Sequence, residues 1–175
     1  MKEEIYMKKV TRKALVIAII AGILVLCDGF LSNLLNIEGS FTWIAFVSWT
    51  VFFGATNEER LKAVVGYIIG FLSAVAIMKI GEGFSFLNIK QVALGSIIAT
   101  MIINFLCIEL ENVEKVFPIS ISGIFVGIAM TFSGIGIGLT INNWYNSVIM
   151  LIVILVYGIL GLLSGWATLK FGVKD

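Results

Sequence analysis

Two ten-residue segments of similar sequence decide how this chain is interpreted: FVSWTVFFGA at Phe46–Ala55 and FVGIAMTFSG at Phe125–Gly134. Both begin with Phe-Val, both have a second Phe seven residues after the first, and both end on a small residue. Each lies in an apolar stretch that also contains hydroxyl side chains and glycine. The similarity suggests that the chain carries two copies of one structural unit.

The composition is that of a membrane protein. The 175 residues are 59% hydrophobic and only 13% charged, and the mean hydropathy is +1.06. Soluble domains are about half apolar and about a quarter charged. A soluble core could not absorb this much apolar surface, so we expect the lipid bilayer to surround the helices. The net charge of +1 gives no reason to expect nucleic acid as a partner.

Six apolar runs, bounded by charged residues or by Gly, Asn and Pro, predict an all-α protein with six transmembrane helices. The runs cover about residues 14–35, 41–56, 63–80, 92–108, 117–134 and 147–169. The second run is short, because a helix needs roughly 20 residues to cross the hydrocarbon. We therefore expect one transmembrane domain over residues 14–169, a basic cytoplasmic N-terminus at 1–13 and a cytoplasmic tail at 170–175.

The order of short motifs along these runs predicts two inverted repeats. The first half of the chain contains, in this order, GFL (29–31), the first ten-residue segment and GFLSA (70–74). The second half contains the similar motifs in the same order, namely NFL (104–106), the second ten-residue segment and GLLSG (161–165). The copies, about residues 14–80 and 90–169, have three spans each, so they must enter the membrane from opposite sides. The second copy has the extra residues GIGIGLTINNWYN before its third helix.

The distribution of Lys and Arg predicts that both termini lie in the cytoplasm. With the N-terminus inside, ten basic residues lie on the cytoplasmic side, and only Lys79 and Lys90 lie outside. Cytoplasmic loops of membrane proteins carry such an excess. The loops at Asn57–Arg60 and Glu109–Lys115 are then cytoplasmic, and their charges are expected to be solvated.

Short or glycine-interrupted segments at matching positions of inverted repeats are the best sequence pointer to a transport site. Small, hydroxyl and aromatic side chains near the two similar segments are therefore candidates for lining a solute path. Together with two polar residues in the first and fourth spans, the candidates are Asp28, Trp43, Ser48, Trp49, Phe53, Asn104, Gly127, Thr131, Phe132 and Ser133. The alternative is that the small residues only allow close helix packing and that the hydroxyls bond the backbone of their own helix.

Asp28 is the one ionisable residue well inside an apolar run, about fourteen residues into the first span. A charge at this depth costs at least about 2.5–3.5 kcal/mol. We expect its side chain to face a polar path, with Asn104, Thr131, Ser133 or Ser48 as partner. It would then be a proton or cation site, or an acceptor for N–H groups of a solute. The alternative places Asp28 in the hydrated outer rim.

These residues also carry a family resemblance. With GIL early in the first span, SW…FF around Ser48–Phe53 and FVGIAMTFSG before the last span, the chain resembles the YcdZ-like family of bacterial inner-membrane proteins. That family is a domain of unknown function, number 1097. The resemblance covers most of the chain and implies a small protein that crosses the bacterial inner membrane several times. It implies no reaction.

Three functions remain open at this point. The first is a channel or facilitator for a small neutral or weakly cationic solute, expected as a homo-oligomer. The second is the substrate-binding membrane subunit of a larger importer, similar to the six-span subunits of energy-coupling-factor transporters. The third is a non-transporting membrane scaffold. We do not expect an enzyme, a cofactor or a metal site, since the sequence has no His and its two Cys residues lack metal-ligand spacing.

Overall fold

A computed structural model describes residues 2–35, 40–89, 93–110 and 118–172, with side chains in the first helix from Arg12 to Leu34. Within these ranges the chain is all-helical, as the apolar runs predict. The six α-helices are α1 (Lys2–Leu35), α2 (Thr42–Val51), α3 (Asn57–Gly83), α4 (Leu94–Glu109), α5 (Ile121–Gly136) and α6 (Trp144–Gly172). A 3₁₀ helix follows α3 at Ser85–Leu87. Some residues named in the sequence analysis lie outside the described ranges. They are the part of the predicted loop Glu109–Lys115 that follows Leu110, Lys90 and the last tail residues.

Helix length separates the six helices into two groups. Residues Arg12–Leu34 of α1, together with α3 and α6, are long and apolar enough to cross a membrane. The apolar helices α2, α4 and α5 are shorter, with 10, 16 and 16 residues. At 1.5 Å per residue, α2 is about 15 Å long, which is half of a hydrocarbon core of about 30 Å. The chain is thus a helical protein of membrane type in which three helices have full spanning length.

Short polar motifs define where several helices begin and end. Thr56 and Glu59 form a capping box at the start of α3, with Glu59 accepting from the Thr56 N–H at 2.6 Å and donating its own N–H to the Thr56 hydroxyl at 3.2 Å. The Ser120 hydroxyl accepts from the Gly123 N–H at the start of α5. Gly54 follows the end of α2 at a φ of +87°, a conformation that favours glycine.

The chain divides into two compact units. The first unit contains residues 1–60 and 156–175, and therefore α1, α2 and the C-terminal half of α6. The second unit contains residues 61–155, and therefore most of α3, all of α4 and α5, and the N-terminal half of α6.

In the first unit, α2 and α6 both run antiparallel to α1. Asp28, near the end of α1, accepts a hydrogen bond from Tyr157, at the start of the C-terminal half of α6. It also accepts one from the Phe41 N–H in the segment that begins α2. At the other end, the Lys13 ammonium lies 5.2 Å from the centre of the Phe53 ring, just after α2. A Cβ atom placed on Gly172, at the end of α6, would lie 3.4 Å from the Lys13 Cα. The helices α2 and α6 are therefore parallel to each other.

In the second unit, α4 runs antiparallel to α3. The Ser73 hydroxyl and the Cys107 thiol are 3.3 Å apart at one end of this pair. At the other end, a Cβ atom on Gly81 would lie 3.1 Å from the Ser96 Cα. Cys107 also belongs to a buried apolar cluster with Ile119 and Ile124, which joins α4 to α5. The helix α5 packs parallel to α3 through glycines on both helices.

Candidate functional site

Asp28 is a buried carboxylate with three hydrogen bonds inside the first unit. Its side chain is only 6% exposed. The Oδ2 atom accepts from the Ser40 hydroxyl at 2.7 Å. The Oδ1 atom accepts from the Phe41 N–H at 3.0 Å and from the Tyr157 hydroxyl at 2.6 Å. The carboxylate thus ties α1 to the start of α2 and to α6.

These contacts explain how a carboxylate is tolerated at this position. Phe41 is the N-cap residue of α2, and the backbone N–H groups at a helix start have no partner within the helix. The helix dipole also favours a negative group there. Three donors and the helix end therefore offset the cost of burying Asp28. The expected alternative of a well-hydrated outer position does not describe a side chain that is buried.

The partners of Asp28 differ from those that the sequence suggested. We expected Asn104, Thr131, Ser133 or Ser48, but the bonds go to Ser40, Phe41 and Tyr157. The prediction of the partners is wrong because the segment that begins α2 and the Tyr157 hydroxyl of α6 lie beside Asp28 and supply the donors. Within the described residues, no group of three or more His, Cys, Asp or Glu side chains could hold a metal ion.

A glycine brings α6 into backbone contact with α2 in the first unit. A Cβ atom on Gly161 would collide with the carbonyl oxygen of Ala45, and it would lie 2.7 Å from the Ser48 Cβ and 2.9 Å from the Trp49 N. Real Cβ atoms do not approach this closely, so the helices can meet only where α6 has no side chain. The Ser48 hydroxyl adds a hydrogen bond of 2.7 Å to the Gly158 carbonyl oxygen across the same interface.

A glycine also brings α3 into backbone contact with α5 in the second unit. A Cβ atom on Gly70 would collide with the carbonyl oxygen of Ile124, and it would lie 2.8 Å from the Gly127 Cα and 2.8 Å from the Ile128 N. In return, a Cβ atom on Gly127 would lie 2.7 Å from the Tyr67 carbonyl oxygen. This interface is closed to any larger residue at either glycine.

The two glycine contacts match residue by residue under the sequence alignment of the similar segments. The alignment that pairs Phe46 with Phe125 also pairs Ala45 with Ile124, Ser48 with Gly127, and Trp49 with Ile128. The alignment of GFLSA with GLLSG pairs Gly70 with Gly161. A Cβ atom on either glycine would meet the carbonyl oxygen of one residue, an atom of the residue three positions later and the backbone nitrogen of the residue after that. These neighbours stand at aligned positions of the two similar segments.

Two of the three hydroxyl groups among the candidates donate to backbone carbonyl oxygens. Ser48 is fully buried and bonds Gly158 on α6. Thr131 is also fully buried, and its hydroxyl donates to the Gly127 carbonyl oxygen at 2.8 Å within α5. Ser133 is exposed. The bond between Thr131 and Gly127 joins two candidates that are four residues apart on the same helix.

The aromatic candidates occupy two kinds of position. Trp49 is buried and stacks on Phe46, with ring centres 5.9 Å apart and an interplanar angle of 14°. Phe53 and Phe132, the matching phenylalanines of the similar segments, are both partly exposed, at 40% and 38%. In the first unit Phe53 carries the Lys13 ammonium over its ring.

Trp43 and Asn104 hold buried polar atoms without a partner. The Nε1 donor of Trp43 and the Oδ1 acceptor of Asn104 are buried, and each lacks a hydrogen bond within the described residues. Buried polar groups are nearly always paired, so each unpaired atom calls for an explanation. In each unit separately, one candidate residue thus retains a hydrogen-bonding capacity that the described part of the protein does not use.

Ser40 and Tyr157 are the residues near Asp28 that sequence reasoning missed. Ser40 lies beyond the end of the first apolar run, and its position beside Asp28 is not visible in the sequence. Tyr157 gives a weak signal, because it is the only tyrosine inside the most uniformly apolar run. A buried tyrosine hydroxyl usually has a hydrogen-bond partner, and the carboxylate of Asp28 is an acceptor of the required kind.

Comparison with known proteins places the chain in a family. A family described as a protein of unknown function (DUF1097) matches residues 14–170. The chain belongs to this family. The match confirms the family resemblance and covers both similar segments, the Asp28 cluster and nearly all of α6 in the DUF1097 chain. No curated protein and no solved structure matched it.

Proposed function

We propose that this protein is a channel or facilitator for a small neutral or weakly cationic solute, built from two inverted three-helix repeats in the bacterial inner membrane. The observation that carries the proposal is the equivalence of the Gly70 and Gly161 contacts. Around both glycines the three nearest atoms belong to residues at aligned positions of the two segments, which supports a common origin of the two contacts. Inverted repeats are the architecture of many transporters, whose substrate sites lie near the middle of the membrane.

The helix composition of the two units supports the same repeat. The first unit joins α1 and α2 to the C-terminal half of α6, and the second joins α4 and α5 to most of α3. Each unit thus combines two helices of one copy with the third helix of the other. In both, the first helix runs antiparallel to the other two. The exposed fractions of matching side chains also agree, at 36% for Phe46 and 37% for Phe125.

Two features favour transport over a purely structural repeat. Three apolar helices, α2, α4 and α5, are short, and α2 and α5 occupy matching positions of the proposed repeat, as do the interrupted helices that form transporter sites. The unpaired Nε1 of Trp43 and Oδ1 of Asn104 supply one donor and one acceptor. The donor belongs to the first unit and the acceptor to the second. We infer that each of these residues, within its own unit, offers a hydrogen bond to a passing solute.

The packing of the first unit supports a common side for both termini. Gly172, close to the C-terminus, lies against Lys13 and Val16 near the start of the first span. Lys170 places its ammonium 4.5 Å from the centre of the Trp166 ring. Basic residues are typical of the cytoplasmic side, and aromatic residues are typical of helix ends at either interface. We therefore propose that both termini are cytoplasmic.

A second candidate function is a membrane scaffold that transports nothing. The buried hydroxyls of Ser48 and Thr131 favour it, because both are engaged with carbonyl oxygens and are not free to line a path. In this account the glycine contacts serve assembly only. The two functions differ in whether the protein increases the permeability of a membrane.

The test is a flux measurement on the purified protein in liposomes. Stopped-flow light scattering would follow the entry of urea and glycerol, and a pH-sensitive dye would follow the entry of methylammonium. We expect the protein to accelerate at least one of these solutes relative to empty liposomes. The matched control is the Gly161→Leu variant, which should not form the α2–α6 contact. Equal permeability of protein-containing and empty liposomes for every solute would favour the scaffold.

A further inference from the structure

The second unit contains a cavity that the repeat does not explain. It has a volume of about 220 Å³ and lies between the last turns of α3 and the segment that joins α5 to α6. Met78, Lys79 and Glu82 line it from α3. From the other side, the lining includes Leu139 and Thr140, which belong to the residues present only in the second copy.

The wall formed by the connecting segment is held in place by its own hydrogen bonds. Gly138 has a φ of +106°, which allows the chain to turn directly after α5. The Leu139 N–H then donates to the Gly134 carbonyl oxygen at 3.0 Å. The side-chain amide of Asn146 donates a hydrogen bond to the Thr140 hydroxyl at 2.7 Å. The cavity is thus bounded by a fixed segment on one side and by a helix on the other.

The helical wall offers one charge of each sign. The Lys79 ammonium and the Glu82 carboxylate are 3.0 Å apart, and both side chains are 66% exposed. An exposed pair of this kind is a weak interaction that holds neither side chain firmly. A ligand with an ammonium and a carboxylate attached to the same carbon can therefore replace it, with each of its charges facing one of these side chains. The apolar part of the lining, which includes Met78 and Leu139, is suited to a small hydrocarbon group.

We propose that this cavity is a binding site for a small zwitterion with a short apolar substituent, the chemical class of an apolar α-amino acid. Lys79 contacts the carboxylate of the ligand and Glu82 contacts its ammonium, while the apolar substituent enters the cavity. The volume corresponds to about seven water molecules at about 30 Å³ each, which suits a ligand of this size. The site does not depend on the transport proposal, because binding is an equilibrium property of the protein.

Binding of radiolabelled leucine to the purified full-length protein in detergent tests the proposal. We expect saturable binding that unlabelled leucine displaces. Leucinamide lacks the carboxylate and N-acetylleucine lacks the ammonium, so each should compete at least about tenfold more weakly than leucine. Absence of saturable binding up to about 10 mM leucine would overturn the proposal, as would equal competition by either analogue.

Variants separate this site from any other position where leucine could bind. Lys79→Gln and Glu82→Gln should each weaken leucine binding at least about tenfold. Both residues are exposed, so the variants should keep the gel-filtration profile of the wild type. Lys62→Gln, nearer the other end of α3, is the control and should bind leucine as the wild type does. Unchanged binding by both cavity variants would overturn the site, whatever the flux experiment shows.

Discussion

Gly161 lies so close to Ala45 that a Cβ atom on the glycine would collide with the alanine carbonyl oxygen. The contact joins the half-length helix α2 to the last helix of the chain. The same contact recurs between Gly70 and Ile124 in the other unit. This shared requirement for glycine at aligned positions is the observation on which the proposed repeat rests.

Replacing either contact glycine by alanine should destabilise the protein. Glycine to alanine within a helix ordinarily stabilises by about 1 kcal/mol. At Gly70 and Gly161 the added methyl group meets backbone atoms, and overpacking of this kind costs about 1–3 kcal/mol. Gly22→Ala is the control, because a Cβ atom there has no atom within 4 Å. Titration with a denaturing detergent would measure the free energies, and equal values for all three variants would contradict the packing account.

Asp28 and Tyr157 should be energetically coupled. A hydrogen bond to a charged group contributes about 1.5–3 kcal/mol, and removing one partner leaves the other unpaired. Tyr157→Phe and Asp28→Ala should each lower the free energy of unfolding, and the double variant should lose less than the sum of the two. The matched control is Tyr145→Phe, since Tyr145 is 62% exposed. Additive losses would show that the 2.6 Å bond contributes nothing.

The role of the Asp28 carboxylate in transport is tested by Asp28→Asn. The amide nearly keeps the size of the carboxylate, and its oxygen still accepts from Phe41 or Tyr157, so the fold should remain. If Asp28 acts in the solute path, the flux in liposomes should change. An unchanged flux would leave Asp28 with a purely structural task, joining α1, α2 and α6.

Trp43→Phe and Asn104→Leu should affect flux without weakening the fold. Each substitution removes a buried polar atom that has no partner among the described residues, so no internal hydrogen bond is lost there. We expect thermal stability in detergent to be unchanged or raised, and the flux of the transported solute to fall at least about tenfold, equivalent to about 1.4 kcal/mol. Ser48→Ala is the comparison, because it removes the bond to Gly158 and should lower stability. Wild-type flux in both variants would remove these residues from the path.

The sequence predicted the helices well because their boundaries depend on local signals. The apolar runs end at charges or at Gly, Asn and Pro, and motifs such as Thr56 with Glu59 act within one turn. The first apolar run begins only near residue 14, yet α1 begins at Lys2. Its Lys and Arg residues are good helix formers, so the helix continues beyond the apolar run.

Contacts between distant residues were harder to predict. The alignment of GFLSA with GLLSG pairs Gly70 with Gly161, but it does not show which helix each glycine contacts. Gly70 lies against α5 and Gly161 against α2, and these contacts depend on three-dimensional packing. The partners of Asp28 were missed for the same reason, since Tyr157 is 129 positions away. The sequence identified the unusual residues but not their neighbours.

Topology can be tested by labelling single cysteines in a variant without Cys27 and Cys107. Phe86, after α3, is 77% exposed, and Lys79 beside this segment is one of the few basic residues assigned to the outside. A cysteine at residue 86 should react with a membrane-impermeant maleimide on intact cells. A cysteine at residue 2 should react only after the cells are opened. The reverse pattern would overturn the proposed orientation.

The central claim is that the chain consists of two inverted copies of one three-helix unit. An experimental structure in lipid tests it most directly, by superposing residues 14–80 on residues 90–169. We predict a rotation of about 180° around an axis in the membrane plane, with Phe46 on Phe125 and Phe53 on Phe132. Two halves with unrelated helix packing, or a rotation axis along the membrane normal, would contradict the repeat and remove the main support for transport.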